Sequence, residues 1–233
     1  MKIIMCVLFC IVSIANANEF RARQAYLNKN YSQARDMYLK LSNSEQTNPA
    51  HFYNLGAAYF RLNDYMNAKR YFLKVLKFEP GNKDALYNVG IINQKLIDQE
   101  LFYKSYWTSI FGLSLNSVLV FVLIGAIPIL FVNVYLIRVP TQSALKRPMV
   151  LMTFIWSIAC LTIFILAVNE PQYGIVSTDK ASVYSGPSQT QNVLFFAHLG
   201  ADFRRLRSTS TWHQIQFSNG LKGWIMGKDI KEI

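Results

Sequence analysis

The sequence predicts a multidomain membrane protein with three parts: an all-α helical-repeat solenoid, a two-helix transmembrane hairpin and a small all-β barrel. Three observations support this fold class. Residue types repeat every 34 positions in the N-terminal part. Two uncharged apolar runs of twenty residues follow, each long enough to cross a bilayer as a helix. Short β-type segments separated by turn residues make up the C-terminal part.

The repeat lies in residues 18–107, the predicted first domain. Tyr31 and Ala34 recur as Tyr65 and Ala68, 34 residues later. This period and these residue types resemble the tetratricopeptide repeat, a pair of antiparallel helices that commonly binds proteins. About two and a half repeats are present. The residues on the signature positions of the repeat are Phe52, Leu55, Gly56, Tyr59, Ala68, Phe72 and Pro80.

Small residues are needed where the two helices of a repeat cross. Gly56 and Ala68 are small at such positions, and larger side chains there would push the helices apart. Asn63-Asp64 and Pro80-Gly81-Asn82 are turn signals. The sequence therefore predicts helices over residues 18–28, 31–42, 50–62, 65–78 and 83–104. Met37, Tyr38 and Leu41 are predicted core residues.

The first helix of each repeat faces the concave groove, where tetratricopeptide domains bind partners. Some of these domains hold a C-terminal carboxylate with Lys, Asn and Arg, but Glu19 and Asp84 stand where lysines are needed. A carboxylate clamp is therefore disfavoured, and a peptide or a folded partner stays open. The alternative is that Tyr53 and Asn54 only face solvent or cap a neighbouring helix. The predicted partner-binding residues of the groove are Arg23, Tyr26, Tyr53, Asn54, Arg61, Tyr87 and Asn88.

The apolar runs predict transmembrane helices over residues 108–137 and 149–168, joined by a basic loop over residues 138–148. The loop contains Arg138, Lys146 and Arg147 and no acidic residue. Short loops rich in Lys and Arg stay in the cytoplasm, so both flanking parts are expected on the extracytoplasmic side. The alternative is a buried helix pair of a soluble protein. No ionisable residue lies inside the runs, which argues against ion transport.

The first seventeen residues have the pattern of a cleaved signal peptide. Lys2 is followed by an apolar run, and Ala15-Asn16-Ala17 has the small-x-small form of a cleavage site. This pattern predicts export of the N-terminal domain and agrees with the basic loop. The expected location is the cytoplasmic (inner) membrane, crossed twice, with both soluble domains on the periplasmic side and the lipid bilayer as a partner.

Residues 169–233 predict a small barrel. Strands are expected over residues 174–177, 181–184, 193–197, 203–206, 211–217 and 223–226, and Asn219-Gly220 predicts a type I′ hairpin turn. The motifs around Val183–Ser188, Trp212–Ile215 and Gly223–Ile225 resemble the bacterial SH3 domain, although Ser182-Val183-Tyr184 departs from the usual Asn-Val-Arg. The resemblance implies binding of wall peptide or protein. Tyr184, Trp212 and Trp224 are the predicted binding residues of this domain, with a structural role for at least one Trp as the alternative.

Composition excludes several function classes. The formal net charge is +11, but the basic residues are dispersed and the chain is predicted to be exported, so nucleic acid is not an expected partner. After signal removal, Cys160 is the single cysteine, which leaves no intramolecular disulfide. His51, His198 and His213 have no metal-ligand spacing, and no nucleophile motif is present. We therefore expect no enzyme, no catalytic residue, no metal and no cofactor.

The order of signal peptide, tetratricopeptide repeats, two membrane helices and SH3-like domain is similar to BatE-type proteins of the Bacteroides aerotolerance operon. That resemblance implies work beside von Willebrand factor A-type partners and a MoxR-type ATPase. The leading functional hypothesis is a non-catalytic, membrane-anchored adaptor that presents two protein-binding modules in such an envelope-stress complex. The alternative is sensing or anchoring of the cell wall, with peptidoglycan as the ligand of the SH3-like domain.

Overall fold

The computed structural model describes residues 17–42, 48–98, 115–138, 146–168 and 171–233. Apart from residue 17, the predicted signal peptide lies outside these ranges, as does most of the predicted basic loop. The chain divides into two compact units. Unit 1 contains Met1–Tyr103 together with Gln172–Ile233, and unit 2 contains Lys104–Pro171. The helical repeats and the sheet therefore belong to the same unit.

Over residues 17–42 and 48–98, five helices form the repeat part of unit 1. Asn48, Asp64 and Asn82 cap three of them, because each side chain accepts a hydrogen bond from a main-chain N–H in the first turn. Lys29 and Asn63, 34 residues apart, both have a positive φ in the turn inside a repeat. The helices are α1 over residues 17–27, α2 Tyr31–Ser42, α3 Pro49–Arg61, α4 Tyr65–Phe78 and α5 Lys83–Asn93.

The packing of α3 on α4 follows the predicted pattern. A Cβ on Gly56 would lie 3.2 Å from the Phe72 ring, so a larger side chain would displace that ring. Tyr38, Leu55, Phe72 and Ala68 are buried in the core between the helices. The fifth helix was predicted to reach residue 104. It ends at Asn93, and turns follow up to residue 98.

The C-terminal part of unit 1 is one antiparallel sheet. The six predicted strands are present, and a seventh was missed. The turn at Asn219-Gly220 has a positive φ at Gly220 but not at Asn219, so it is not the predicted type I′ turn. The strands are β1 Gln172–Val176, β2 Lys180–Tyr184, β3 Val193–His198, β4 Asp202–Ser208, β5 Trp212–Gln216, β6 Lys222–Met226 and β7 Ile230–Glu232.

The predicted closed barrel is wrong. The strand order is β3-β2-β6-β5-β4-β1-β7, so β3 and β7 are the edges of an open sheet. Side chains from the helical repeats explain why the edge of β7 is not free for another strand. Arg70 Nε donates to the main-chain oxygen of Glu232 at 2.7 Å, and Lys77 Nζ donates to that of Ile233 at 3.2 Å. Helix α4 thus supplies donors to this edge of the sheet.

The two faces of the sheet pack into two different hydrophobic cores of the chain. Successive side chains of a strand point to opposite faces. Val176 therefore packs into the core of the sheet itself, with Phe203 and Ile215, whereas Ile175 packs into the core of the helical repeats. The face that carries Ile175 covers the helices, and the sheet is the missing cap of a short solenoid.

A buried ion pair lies in this contact. Lys69 of α4 donates from Nζ to Asp202 Oδ1 at 2.6 Å and to the main-chain oxygen of Gly200 at 2.9 Å. The two side chains are 0% and 2% exposed. Gly200 has a φ of +83°, and a Cβ on it would lie 2.5 Å from the Leu96 side chain. The close approach of Leu96 to this main chain therefore requires glycine.

The described part of unit 2 contains two helices, α6 Leu115–Arg138 and α7 Lys146–Val168. They cross closely at Gly125, where a Cβ would overlap the Trp156 ring. Within the described parts of the chain, no helix meets the combined requirement of length and apolarity for crossing a membrane. A membrane span needs both properties together. The predicted transmembrane hairpin is therefore wrong, and so is the membrane part of the predicted fold class.

Removing one partner of the buried ion pair is expected to destabilise unit 1. Lys69→Met or Asp202→Leu leaves an uncompensated buried charge, which costs about 3–5 kcal/mol of unfolding free energy. The double variant should recover most of this loss, since neither charge then remains. Chemical denaturation of the four proteins measures the effect. Arg35→Ala, at an exposed ion pair with Asp36, is the control and should cost less than about 1 kcal/mol.

The outer side of α4 holds a lysine with an unusual pKa. Lys74 Nζ lies 5.4 Å from the centre of the Phe52 ring and 5.6 Å from that of Tyr71. Burial among these rings, with smaller contributions from the charges of Arg70 and Lys77, lowers the pKa of Lys74 to about 8, while Glu232 opposes the shift. Tyr71 itself stacks on Tyr59 with ring centres 5.6 Å apart.

This lowered pKa predicts a pH-dependent stability. Between pH 8 and the unfolded-state value of 10.5, the unfolded chain binds more protons at Lys74 than the folded chain. The unfolding free energy contributed by Lys74 therefore rises with pH in that window, and the cost of burying its charge is fully present below it. Unfolding at about pH 7 and about pH 9.5 should show a smaller rise in Lys74→Met than in the unaltered chain. An equal rise in both proteins would contradict the assignment.

Candidate functional site

The groove of the helical repeats contains a cavity of about 560 Å³. Its wall is built mainly from α1 and α3, the first helices of successive repeats, with single residues from α2, α4 and α5. Aromatic, basic and amide side chains alternate along it. The lining residues are Glu19, Arg23, Tyr26, Leu27, Tyr38, Tyr53, Asn54, Ala57, Phe60, Arg61, Phe72 and Asn88.

Six of the seven residues predicted for this groove line the cavity together. The exception is Tyr87, which is 71% exposed and does not line it. Sequence reasoning missed Phe60 and Leu27, and it assigned Tyr38 to the core. Tyr38 is 2% exposed and also forms part of the cavity wall. The spacing of Phe60, seven residues after Tyr53, was a signal for the same helix face. Whether these residues bind a partner stays a prediction.

Hydrogen bonds fix several of the groove side chains. Asn88 Nδ2 donates to Tyr53 Oη at 3.2 Å and to the main-chain oxygen of Asp84 at 2.9 Å. The Tyr53 ring meets the Phe72 ring edge to face at 5.3 Å. In the described structure, the half-buried Asn54 has no side-chain hydrogen bond. Its amide can therefore donate to and accept from an incoming main chain.

The charges of the groove are mixed. Arg61 Nε donates to Tyr26 Oη at 3.4 Å, and this hydrogen bond raises the pKa of Arg61 above its ordinary value. Burial raises the pKa of Tyr38, Glu19 adds to the shift, and Arg23 opposes it. Glu19 Oε2 also lies 3.4 Å from His51 Nε2. The cavity wall thus carries the acidic Glu19 together with the basic Arg23 and Arg61.

The predicted aromatic residues of the sheet lie on one face. Tyr184 pairs directly with Trp224 across β2 and β6, and Trp224 pairs with Gln214 across β6 and β5. Residues opposite each other in a sheet share a face, so Trp212, two residues before Gln214, lies on it as well. Tyr184 and Trp212 meet at 90° with ring centres 5.3 Å apart. Trp212 is 8% exposed, whereas Tyr184 and Trp224 are partly exposed.

A hydrogen-bonded polar pair links β4 and β5. His213 Nδ1 lies 2.9 Å from Ser208 Oγ, and burial lowers the pKa of His213, with Arg205 acting in the same direction. This pair lies on strand residues at the surface, without a carboxylate positioned behind the imidazole. Within the described ranges, no group of three or more His, Cys, Asp or Glu side chains could hold a metal ion.

Comparison with known families finds a tetratricopeptide repeat at residues 49–82. The match covers α3, α4 and the turn that follows, which are the helices that carry Tyr53, Asn54 and Phe72. No curated protein matches the chain significantly. Residues 49–82 are thus a repeat of a type that is typically a non-catalytic module for protein interactions.

Trp224 is partly exposed, so we expect its ring to contribute less to the stability of the sheet than the buried ring of Trp212 does. Trp224→Ala should change the unfolding free energy by less than Trp212→Ala does, because removing the buried Trp212 ring leaves a cavity that costs about 3–5 kcal/mol. Denaturant unfolding of both variants measures this difference. An equal loss in both variants would mean that Trp224 is a core residue and not an available surface.

Proposed function

We propose that the protein is a non-catalytic adaptor whose repeat groove binds an extended peptide segment of a partner protein. The observation that carries the proposal is the cavity of about 560 Å³, which brings six separately predicted side chains onto one wall. Such a volume lies in the range of ordinary ligand pockets. Aromatic rings provide apolar contact, and the unpaired amide of Asn54 provides hydrogen bonds to a peptide main chain.

The residues of α4 that contact the sheet do not line this groove. The contacts of the sheet use α4, the second helix of a repeat, through Lys69, Arg70 and Lys77. The groove is lined chiefly by the first helices, so docking of the sheet leaves it open. The adaptor therefore holds the groove and the sheet in a fixed relation, and it has two surfaces for two binding events.

The order of the modules supports a finer proposal for the partners. It is similar to that of BatE-type proteins, so von Willebrand factor A-type proteins and a MoxR-type ATPase are the proposed members of the same assembly. The signal-like start of the chain supports an extracytoplasmic location. These proposals rest on resemblance, while the peptide-binding groove rests on geometry.

Site-specific photo-crosslinking in cells tests the groove. A p-benzoylphenylalanine at Ala57, inside the cavity, should give a covalent adduct with a partner. The adduct should fall at least about fivefold when Tyr53→Ala and Asn54→Ala are added, because apolar contact and main-chain hydrogen bonds are lost together. The same probe at Tyr87, outside the cavity, is the matched control and should give little adduct. Equal adducts at both positions, or no effect of the two substitutions, would contradict the proposal.

A second function, binding of peptidoglycan by the sheet, is favoured by one observation. Tyr184 and Trp224 pair across β2 and β6 and form a partly exposed aromatic surface on the sheet. The motifs of this part resemble the bacterial SH3 domain, whose members bind wall peptides. Co-sedimentation of the full chain with purified peptidoglycan tests this function, with Trp224→Ala as the surface variant and Tyr53→Ala as the groove control.

A further inference from the structure

The two edges of the sheet differ in how they are covered. On β7, the main-chain oxygens of Glu232 and Ile233 accept hydrogen bonds from Arg70 and Lys77 of α4. Among the residues that the structure describes, the β3 edge is covered at the His198 end only. The main-chain N–H of His198 donates to Asp98 Oδ2 at 2.7 Å, and the main-chain oxygen of His198 accepts from Ala201 N at 3.1 Å. Asp98 thus takes the place of a neighbouring strand at His198.

The direction of the His198 N–H determines which groups of β3 remain open. It points away from β2, and in an antiparallel ladder the main-chain groups of alternate residues point the same way. The N–H and C=O of Phe196 therefore also point outward. In the described part of the chain they have no partner. Beyond Phe196, Leu194 is the extra residue where the β2–β3 register shifts, so the open stretch is short and centred on Phe196.

A cavity of about 290 Å³ lies beside this open stretch, and its lining combines apolar residues with Asp98, Asp202 and Asn219. Phe195 and Phe217 belong to the apolar part, as do Ile97, Phe196 and Leu221, which are 73%, 47% and 47% exposed. An edge strand with exposed apolar residues is a template for an added strand. Proteins usually protect such an edge with charged side chains, or with a helix or loop that covers it. Lys180 lies over the Phe196 ring at 3.9 Å but leaves the main chain free.

We infer that the β3 edge at Phe196 is a docking site for a short extended segment of a partner protein. The segment pairs with the N–H and C=O of Phe196 and places an apolar side chain in the cavity lined by Ile97, Phe217 and Leu221. Unpaired main-chain groups select an extended backbone, and the cavity selects an apolar side chain. The Ile97–Asp98 segment already lies along the same edge, and the docked strand continues that contact.

A second copy of the chain fits this edge less well than a separate segment does. Antiparallel pairing of two β3 strands about Phe196 would place residue 194 of the second copy opposite His198. Asp98 already occupies that position. A short peptide avoids Asp98 because it needs only the stretch from Phe196 toward Leu194. The site is also separate from the repeat groove, since the two cavities share no lining residue.

A defined peptide tests the site on the full-length protein. The probe is a fluorescein-labelled Thr-Val-Thr-Phe-Thr-Val-Thr peptide, which places Val, Phe and Val on one face of a strand. Its binding is measured by fluorescence anisotropy up to about millimolar concentration. Methylation of its interior amides should weaken binding at least about tenfold, because the main-chain pairing is removed. Absence of binding, or equal binding of the methylated peptide, would overturn the inference.

Two variants locate the binding on the protein. Phe196→Pro removes the outward N–H and should weaken binding at least about tenfold. Ile97→Glu places a charge at the cavity rim and should also weaken binding at least about tenfold. Because Ile97 is largely exposed, this variant should fold, and it keeps the test valid if Phe196→Pro does not fold. The groove variant Tyr53→Ala should bind normally. Loss of binding in Tyr53→Ala, or a chain dimer that Phe196→Pro dissociates, would assign the result to the groove or to a second copy and overturn the inference.

Discussion

The ion pair between Lys69 and Asp202 makes a helical solenoid and a sheet into one unit. Two charges removed from water are costly, so they are tolerated only where the geometry satisfies both. Here Lys69 contacts Asp202 at 2.6 Å and the main-chain oxygen of Gly200 at 2.9 Å, and Gly200 has a left-handed conformation. Any displacement of the sheet along α4 would leave a buried charge unpaired. The pair therefore fixes one docking position, in addition to whatever stability it contributes.

Helix α4 links this docking position to the groove. Lys69 lies on its side toward the sheet, and Phe72, three residues later, lines the groove cavity and contacts Tyr53. The same helix contributes Arg70 and Lys77 to the β7 edge. A short solenoid exposes apolar surface at its end, and the sheet covers it with Ile175 and Ile233. The groove thus obtains a rigid rear wall without losing its open side.

The sequence allowed the local elements to be predicted but not the contacts between distant segments. The 34-residue period placed α2 to α4 within a residue or so, because each repeat position carries its own packing requirement. It also placed Tyr53 and Asn54 on one wall with Arg61. Lys69, by contrast, is an unremarkable lysine in a helix, and its partner lies 133 residues further along the chain. No periodicity within either segment indicates that contact. The same reason explains why a closed barrel was expected, since the motifs of the strands carry no information on what covers β7.

The open sheet follows from the way in which its two edges meet the repeats. When a barrel closes, the main-chain N–H and C=O groups of each edge strand pair with another strand. In this sheet, side chains from the repeat part bond to main-chain groups on both edges instead. On β7, two long cationic side chains reach main-chain oxygens. On β3, Asp98 accepts from His198, but a carboxylate is short and serves one N–H only. Long cationic side chains can bond to main-chain oxygens of more than one residue along an edge, and a single aspartate side chain cannot reach as far. Within the described ranges, the contacts that join the sheet to the repeats therefore leave the outward main-chain groups of Phe196 without a partner.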